Sequence, residues 1–327
     1  MRYLSGIPGR RSWKNLGRRT RKVNAGTRFE IVRCNSRCTT ALSAGFEPVF
    51  CGWSPVTPKR IASLAPSQTD WLLALGAGDR LLAVTRYCEV PGDRPLVRMP
   101  GWSNLKAAEV LALDADLILT SSLCQAGLVE ELRRGGAPIL HQDPRRLAEV
   151  RGCLAELGRA LDLGQAAEAL ARRWDEGWAS LDAAVPPGAE RPRVFIEEWH
   201  QPPMAAGNWV PDMVRAAGGE AFLTAPGSQS LEVSWEEVME FDPQIVVLSV
   251  CALGLSHAPE NWMKMEGWDR VEAAREGRIF SVDDSLFNRP SLGLLDGGRI
   301  LQSLIGEAFW GRQSCRDPRV RRLEPRR

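Results

Sequence analysis

The feature that most constrains this chain is an internal repeat. Ala107-Ala108-Glu109-Val110-Leu111-Ala112-Leu113-Asp114-Ala115-Asp116-Leu117-Ile118-Leu119 aligns without gaps on Trp235-Glu236-Glu237-Val238-Met239-Glu240-Phe241-Asp242-Pro243-Gln244-Ile245-Val246-Val247. Both stretches read as a helix, an Asp-centred turn and a buried strand. Each follows a strand, a proline-containing loop and a helix ending in glycine: Pro66 to Gly76 in one half, Pro202 to Gly218-Gly219 in the other. A solenoid buries its faces only by stacking more copies than two, so the pattern predicts a duplicated α/β lobe.

The segments between support that reading. Regular structure is expected from Lys59, after the turn-prone Gly52 to Pro58. Arg60 to Leu64 reads as a short buried strand that Pro66 ends. Ser67 with Asp70 predicts a capping box, and Trp71, Leu72 and Leu75 recur at helical spacing. Leu81 to Thr85 is a second strand, Asn104 to Leu113 a helix, and Asp116 to Thr120 a strand whose continuous apolar run suits a parallel sheet covered on both faces. A helix over Ala126 to Arg134, a Gly135-Gly136 stop and a strand over Ala137 to Leu140 follow. Two helices then run without an intervening strand, Arg146 to Leu161 and Gln165 to Val185. The second places Leu170, Trp174, Trp178 and Leu181 on one stripe and would be roughly 30 Å long. Pro186-Pro187-Gly188 stops it, and the strand Arg193 to Glu197 opens the second half.

The expected fold class is therefore α/β, two Rossmann-like lobes joined by a long helix. Its parts are a basic extension over 1–58, a lobe over 59–143, connecting helices over 144–187, a lobe over 188–311 and a basic tail over 312–327. A ligand cleft is expected where the loops at the carboxyl ends of the parallel strands converge.

Charge and composition exclude several classes. Residues 1–37 hold eleven Lys/Arg against Glu30, and residues 312–327 hold seven Arg against two acids, which leaves 24 basic and 37 acidic residues in the body. An acidic body argues against a sequence-specific nucleic-acid surface. No apolar run is long enough to span a bilayer. The eight cysteines include no C-x-x-C pair, and His141, His200 and His257 lie far apart, so no metal site is expected. No Gly-x-Ser-x-Gly elbow, Walker A loop or His-Glu-x-x-His occurs, and the expectation is a protein without catalysis. His200 with Glu198 is the pair a hydrolase could use, and Asp283-Asp284 the pair that could hold a metal; nothing positive supports either. Met1 to Asn24 is basic but lacks the apolar stretch of a signal peptide. As written, the chain is expected to be cytoplasmic; a different true N-terminus would make it periplasmic or cell-surface.

Several motifs, in order, resemble one family. Arg60 to Asp70, Tyr87 with Pro91, Gly101-Trp102, Asp116 to Leu119, Glu198 to Pro211, Phe287-Asn288-Arg289-Pro290 and Asp296-Gly297 are similar to the substrate-binding proteins of cobalamin and ferric-siderophore ABC transporters, the cobalamin branch more than the siderophore branch. The resemblance covers about residues 59 to 310. It implies noncovalent capture of a corrinoid between the lobes, with cobalamin as ligand and no built-in cofactor. Tyr87, Trp102, Trp199, Met204, Trp209, Asp284 and Arg289 would contact it, since a flat macrocycle rimmed by amides favours broad aromatic faces and a few polar anchors. A tryptophan common in the family after the third strand is here Ser121. The family also docks on a permease through one glutamate per lobe. Glu236 stands at that position in the second lobe, whereas the first-lobe equivalent is Ala108, with Glu109 one step and about 100° along the helix. A monomer is expected. The competing expectations are a ferric-siderophore carrier and, from a different class, an intracellular interaction module without a ligand.

Overall fold

A computed structural model describes residues 57–223, 225, 227–256, 262 and 266–323. Nearly all of the basic extension expected over 1–58 lies outside the described residues, as does His257. The first lobe comprises β1 (Ile61–Ser63), α1 (Pro66–Ala74), β2 (Leu81–Thr85), β3 (Val97–Met99), α2 (Ala107–Leu111), β4 (Leu117–Ser121), α3 (Ala126–Arg134) and β5 (Ile139–Gln142). Its five strands are all parallel, in the order β3-β2-β1-β4-β5. The central strands are buried along their whole length, so the apolar run of the sequence marks them.

Two helices follow, α4 (Leu147–Ala160) and α5 (Gly164–Ala183). Leu170, Trp174 and Leu181 of α5 are buried, as the stripe predicts, and Trp178 is partly buried. The second lobe contains β6 (Arg193–His200), β7 (Pro203–Ala205), α6 (Val210–Ala216), β8 (Glu220–Ala221), β9 (Leu231–Glu232), α7 (Trp235–Phe241), β10 (Ile245–Leu248), α8 (Glu272–Arg275), β11 (Ile279–Val282), α9 (Gly293–Phe309) and β12 (Val320–Arg322). The sheet runs β12-β11-β10-β6-β7-β9, with β8 beside β6. Its core pairs β11·β10, β10·β6 and β6·β8 are parallel, while β12, β7 and β9 add antiparallel edges. Residues 320–322, expected in a basic tail, thus form an edge strand.

The duplication extends to the backbone. Asp114 and Asp242, aligned in the repeat, both take left-handed conformations, φ 48° and 46°. Asp tolerates that region better than most residues. The arginine that opens the central strand of each lobe reaches back to the same turn. Arg60 donates to the carbonyls of Asp114 and Leu113, and Arg193 to those of Phe241 and Asp242. Both tie the end of a helix to the strand beside it.

One apolar cluster runs through both lobes, from Ile61, Trp71 and Leu154 to Met213, Ile245 and Leu301. A second cluster covers the outer face of the second-lobe sheet around Phe195, Trp262 and Trp268, and a third the outer face of the first around Ala62, Ile118 and Leu132.

The expected capping box at Ser67 and Asp70 is absent. Ala65 precedes α1, Pro66 occupies its first turn, and no side chain caps it. Asp70 is instead occupied by the other lobe, as described below.

Candidate functional site

The first-lobe wall is organised by Gln125, buried at the start of α3. Its Nε2 donates to the carbonyls of Leu64 and Trp102, both at 2.8 Å, and its Oε1 accepts from the Ser121 amide at 2.7 Å. One side chain thereby fixes the ends of β1 and β4 and the loop after β3. Trp102 is partly buried on that loop, and Tyr87 partly buried just past β2. Arg86 donates to the Tyr87 hydroxyl at 2.7 Å and lies 4.8 Å from its ring centre. Ser121 is buried, while Leu123 two residues on is 56% exposed, so the apolar surface after β4 comes from a leucine. Sequence reasoning missed Gln125 because its three partners lie on separate segments.

On the second lobe, β6 runs past its last parallel pairing into a hairpin with β7, where Trp199 faces Met204 across the strands. Both are partly buried. Just before them the pairing shifts register between Glu197 and Trp199, and Glu197 and Glu198 take separate partners. Glu197 is 1% exposed; His200 Nδ1 lies 3.0 Å from its Oε1, and Trp262 donates to its Oε2. Burial, the larger effect, raises this carboxyl above the usual range. Glu198 accepts from the Ser230 hydroxyl and from Cys251 Sγ, the latter at 3.7 Å. Burial raises its carboxyl too and pushes the Cys251 thiol well up. His200 therefore partners Glu197 and not Glu198, and the pair a hydrolase could use is not assembled. Among the described residues no three His, Cys, Asp or Glu side chains form a metal-holding group.

Two expected ligand contacts are placed elsewhere. Trp209 is 7% exposed within the shared core, and its Nε1 donates to the Phe287 carbonyl at 2.7 Å. Asp284 is 6% exposed and accepts from the amides of Ala252 (3.1 Å) and Gly254 (2.9 Å). Both tie separate segments of the second lobe together. Asp283 is likewise used locally, accepting from Ser285.

The lobes meet through Trp71 and Asp70 of α1. Trp71 Nε1 donates to the Pro290 carbonyl at 2.8 Å, and Ser291 Oγ to Asp70 at 3.0 Å. Burial, against the Ser291 bond, raises the Asp70 carboxyl. Arg289, mostly buried, lies 3.5 Å from the exposed Glu89 on the loop that carries Tyr87. The structure thus brings Arg289 and Tyr87 to neighbouring loops, and Trp199 and Met204 to one hairpin. Glu236 and Glu109 are exposed in the first turns of α7 and α2. Glu109 is 3.6 Å from Lys106.

This arrangement has relatives. A family model described as periplasmic binding protein matches residues 61–286. A vitamin B12-binding protein of Vibrio parahaemolyticus is 24% identical over 237 residues, 71% of this chain and 84% of the relative. An ABC transporter substrate-binding lipoprotein of Bacillus subtilis is 25% identical over 267 residues, 77% of this chain and 82% of the relative. The crystal structure of a periplasmic heme binding protein from Pseudomonas aeruginosa superposes with a TM-score of 0.71 at 22% identity, over 83% of this chain and 99% of that one. These matches overturn the expectation of a cytoplasmic protein. The family is described as periplasmic, one relative is a lipoprotein, and residues 1–56 lie outside the described residues.

Proposed function

Because the chain belongs to the periplasmic binding protein family, we propose that it is the substrate-binding component of an ABC uptake system and captures a corrinoid, cobalamin, noncovalently between its lobes. The observation that carries this reading is the position of Tyr87, Trp102 and Trp199, none of them fully buried, at or just past the carboxyl-terminal ends of β2, β3 and β6, with Met204 paired to Trp199. Broad aromatic and thioether faces on two walls suit a flat, partly apolar macrocycle, and Arg289 supplies a polar anchor. The vitamin B12-binding relative is consistent with it. Cobalamin is cargo, the chain acts as a monomer, and Glu236 with Glu109 presents an acid from each lobe to the permease.

A second reading, an iron-bearing cargo such as heme or a ferric siderophore, is favoured by the Arg86–Tyr87 pair. A tyrosine oxygen ligates ferric iron in some haem proteins, and Arg86 fixes where this one points. Titration of the protein with cyanocobalamin, hemin and a ferric hydroxamate, followed by calorimetry and tryptophan fluorescence, separates the two. Saturable one-to-one binding of cyanocobalamin supports the corrinoid. Saturation by hemin or the hydroxamate alone moves the assignment to the second reading. No binding by the folded protein overturns both in favour of an interaction module.

A further inference from the structure

We infer that Glu198 selects the cargo by its rim, admitting a macrocycle edged with neutral amides and rejecting one edged with carboxylates. The inference rests on the corrinoid reading and deepens it.

Glu198 stands at the carboxyl end of β6, beside the Trp199–Met204 hairpin. Two uncharged donors face it, Ser230 Oγ and Cys251 Sγ. Its other neighbours are already committed. Asn288 Nδ2 donates to the Ser249 carbonyl at 2.8 Å and to Cys251 Sγ at 3.2 Å, and Asp284 is taken by two backbone amides. Arg145 is engaged with Asp143 and Asn208, Arg289 with Glu89, and His200 with Glu197. Among the described residues no lysine, arginine or histidine pairs with Glu198. A ligand carboxylate brought to this wall meets a second carboxyl with no countercharge, in a place where burial already disfavours the charged form. A primary amide meets the opposite. Its N–H can donate to an oxygen of Glu198, and it brings no second charge to the wall.

The test compares one macrocycle with two rims. Dicyanocobinamide carries amides and dicyanocobyrinic acid carboxylates on the same corrin. The unmodified protein is expected to prefer the cobinamide, and Glu198→Gln, which keeps the shape but adds an N–H donor, to narrow the affinity ratio by about tenfold or more. Ser230→Ala removes the tie to the neighbouring loop and leaves the carboxyl, so it retains the preference. Equal binding of the two corrins by the unmodified protein, an unchanged ratio in the folded Gln variant, or loss of the preference in Ser230→Ala overturns the inference while the corrinoid reading stands. Binding of neither corrin alongside binding of hemin by the unmodified protein overturns both.

Discussion

Trp102 and Gln125 meet at one hydrogen bond, yet they carry different loads. The Trp102 ring is partly exposed while its carbonyl is held by Gln125, so removing the ring subtracts a ligand surface and little core. Trp102→Ala should weaken cobalamin binding about tenfold, ~1.4 kcal/mol, with the urea midpoint nearly unchanged. An unaltered dissociation constant would take Trp102 out of the wall. Gln125→Ala leaves the Leu64 and Trp102 carbonyls and the Ser121 amide without their partner, at about 1–3 kcal/mol for each group left unsatisfied. It should lower stability and binding together, and a stable variant with weakened binding alone would contradict that account. Glu198 adds a dependence on pH. Its carboxyl is raised by burial, so the folded chain keeps that proton at a pH where the unfolded chain has lost it. The favourable contribution is complete below the ordinary glutamate range and is lost as pH climbs through and above it. Unfolding free energies measured from mildly acidic to mildly alkaline pH should fall more steeply in the parent than in Glu198→Gln; parallel curves would show the group is not buried in this way.

Elements announced themselves in the sequence when burial on both faces wrote a continuous apolar run, as in β4 and β10, or when a stripe ran the length of a helix, as in α5. The edges did not. The strands β3, β7, β9 and β12 are two or three residues long, and it is their pairing partners that hold them extended. The Asn104–Leu113 helix shrinks to α2 for a related reason. Only Val110 of that helix is buried, so packing stabilises little more than one turn. Among the residues expected at the site, Tyr87, Trp102 and Trp199 were legible as aromatics in turn-rich segments, and the structure leaves all three partly exposed. The burial of Trp209 and Asp284 was not legible, because their partners come from other segments, Phe287 for one and the turn at 252–254 for the other. Gln125 left no local pattern at all, and Glu198 was legible only beside His200, which the structure gives to Glu197 instead. The best-defined element contact is that of α9 with the turn before it. A Cβ on Gly297 would stand 2.1 Å from the Leu286 carbonyl, a backbone atom that cannot swing aside. Gly297→Ala should therefore cost about 1–3 kcal/mol in urea unfolding and, because the same turn leads to Asn288 and Arg289, should loosen binding as well. A neutral substitution would mean that α9 slides freely past this turn.

At the scale of the whole molecule, what matters is how far the lobes can part. Among the described residues no strand passes from one sheet to the other; α4 and α5 make the connection. The second of these is seated on both lobes. Trp174 packs against Trp71 of α1, ring centres 6.2 Å apart, while the Leu181 carbonyl accepts from Gln302 of α9 and Leu295 of the same helix lies over Gly177. The Trp71 indole then reaches across to Pro290, and beside it Asp70 holds Ser291. Farther along the interface Asp212 of α6 receives Arg146 and the Leu147 amide, both at 3.3 Å. A wide opening would have to strip Trp71 from Trp174 or from Pro290, exposing buried aromatic surface that costs about 25 cal/mol per Å², and would break the part-buried bonds to Pro290 and Asp70 besides. Capture is therefore expected to proceed with little rigid-body closure, unlike carriers whose lobes swing about a few flexible loop residues. Small-angle scattering of the ligand-free and cobalamin-saturated protein should give superposable profiles. Trp71→Ala, which removes both the ring contact and the bond to Pro290, should lower stability and restore a ligand-dependent compaction. A marked decrease in the radius of gyration when the unmodified protein binds cobalamin would refute the rigid connection.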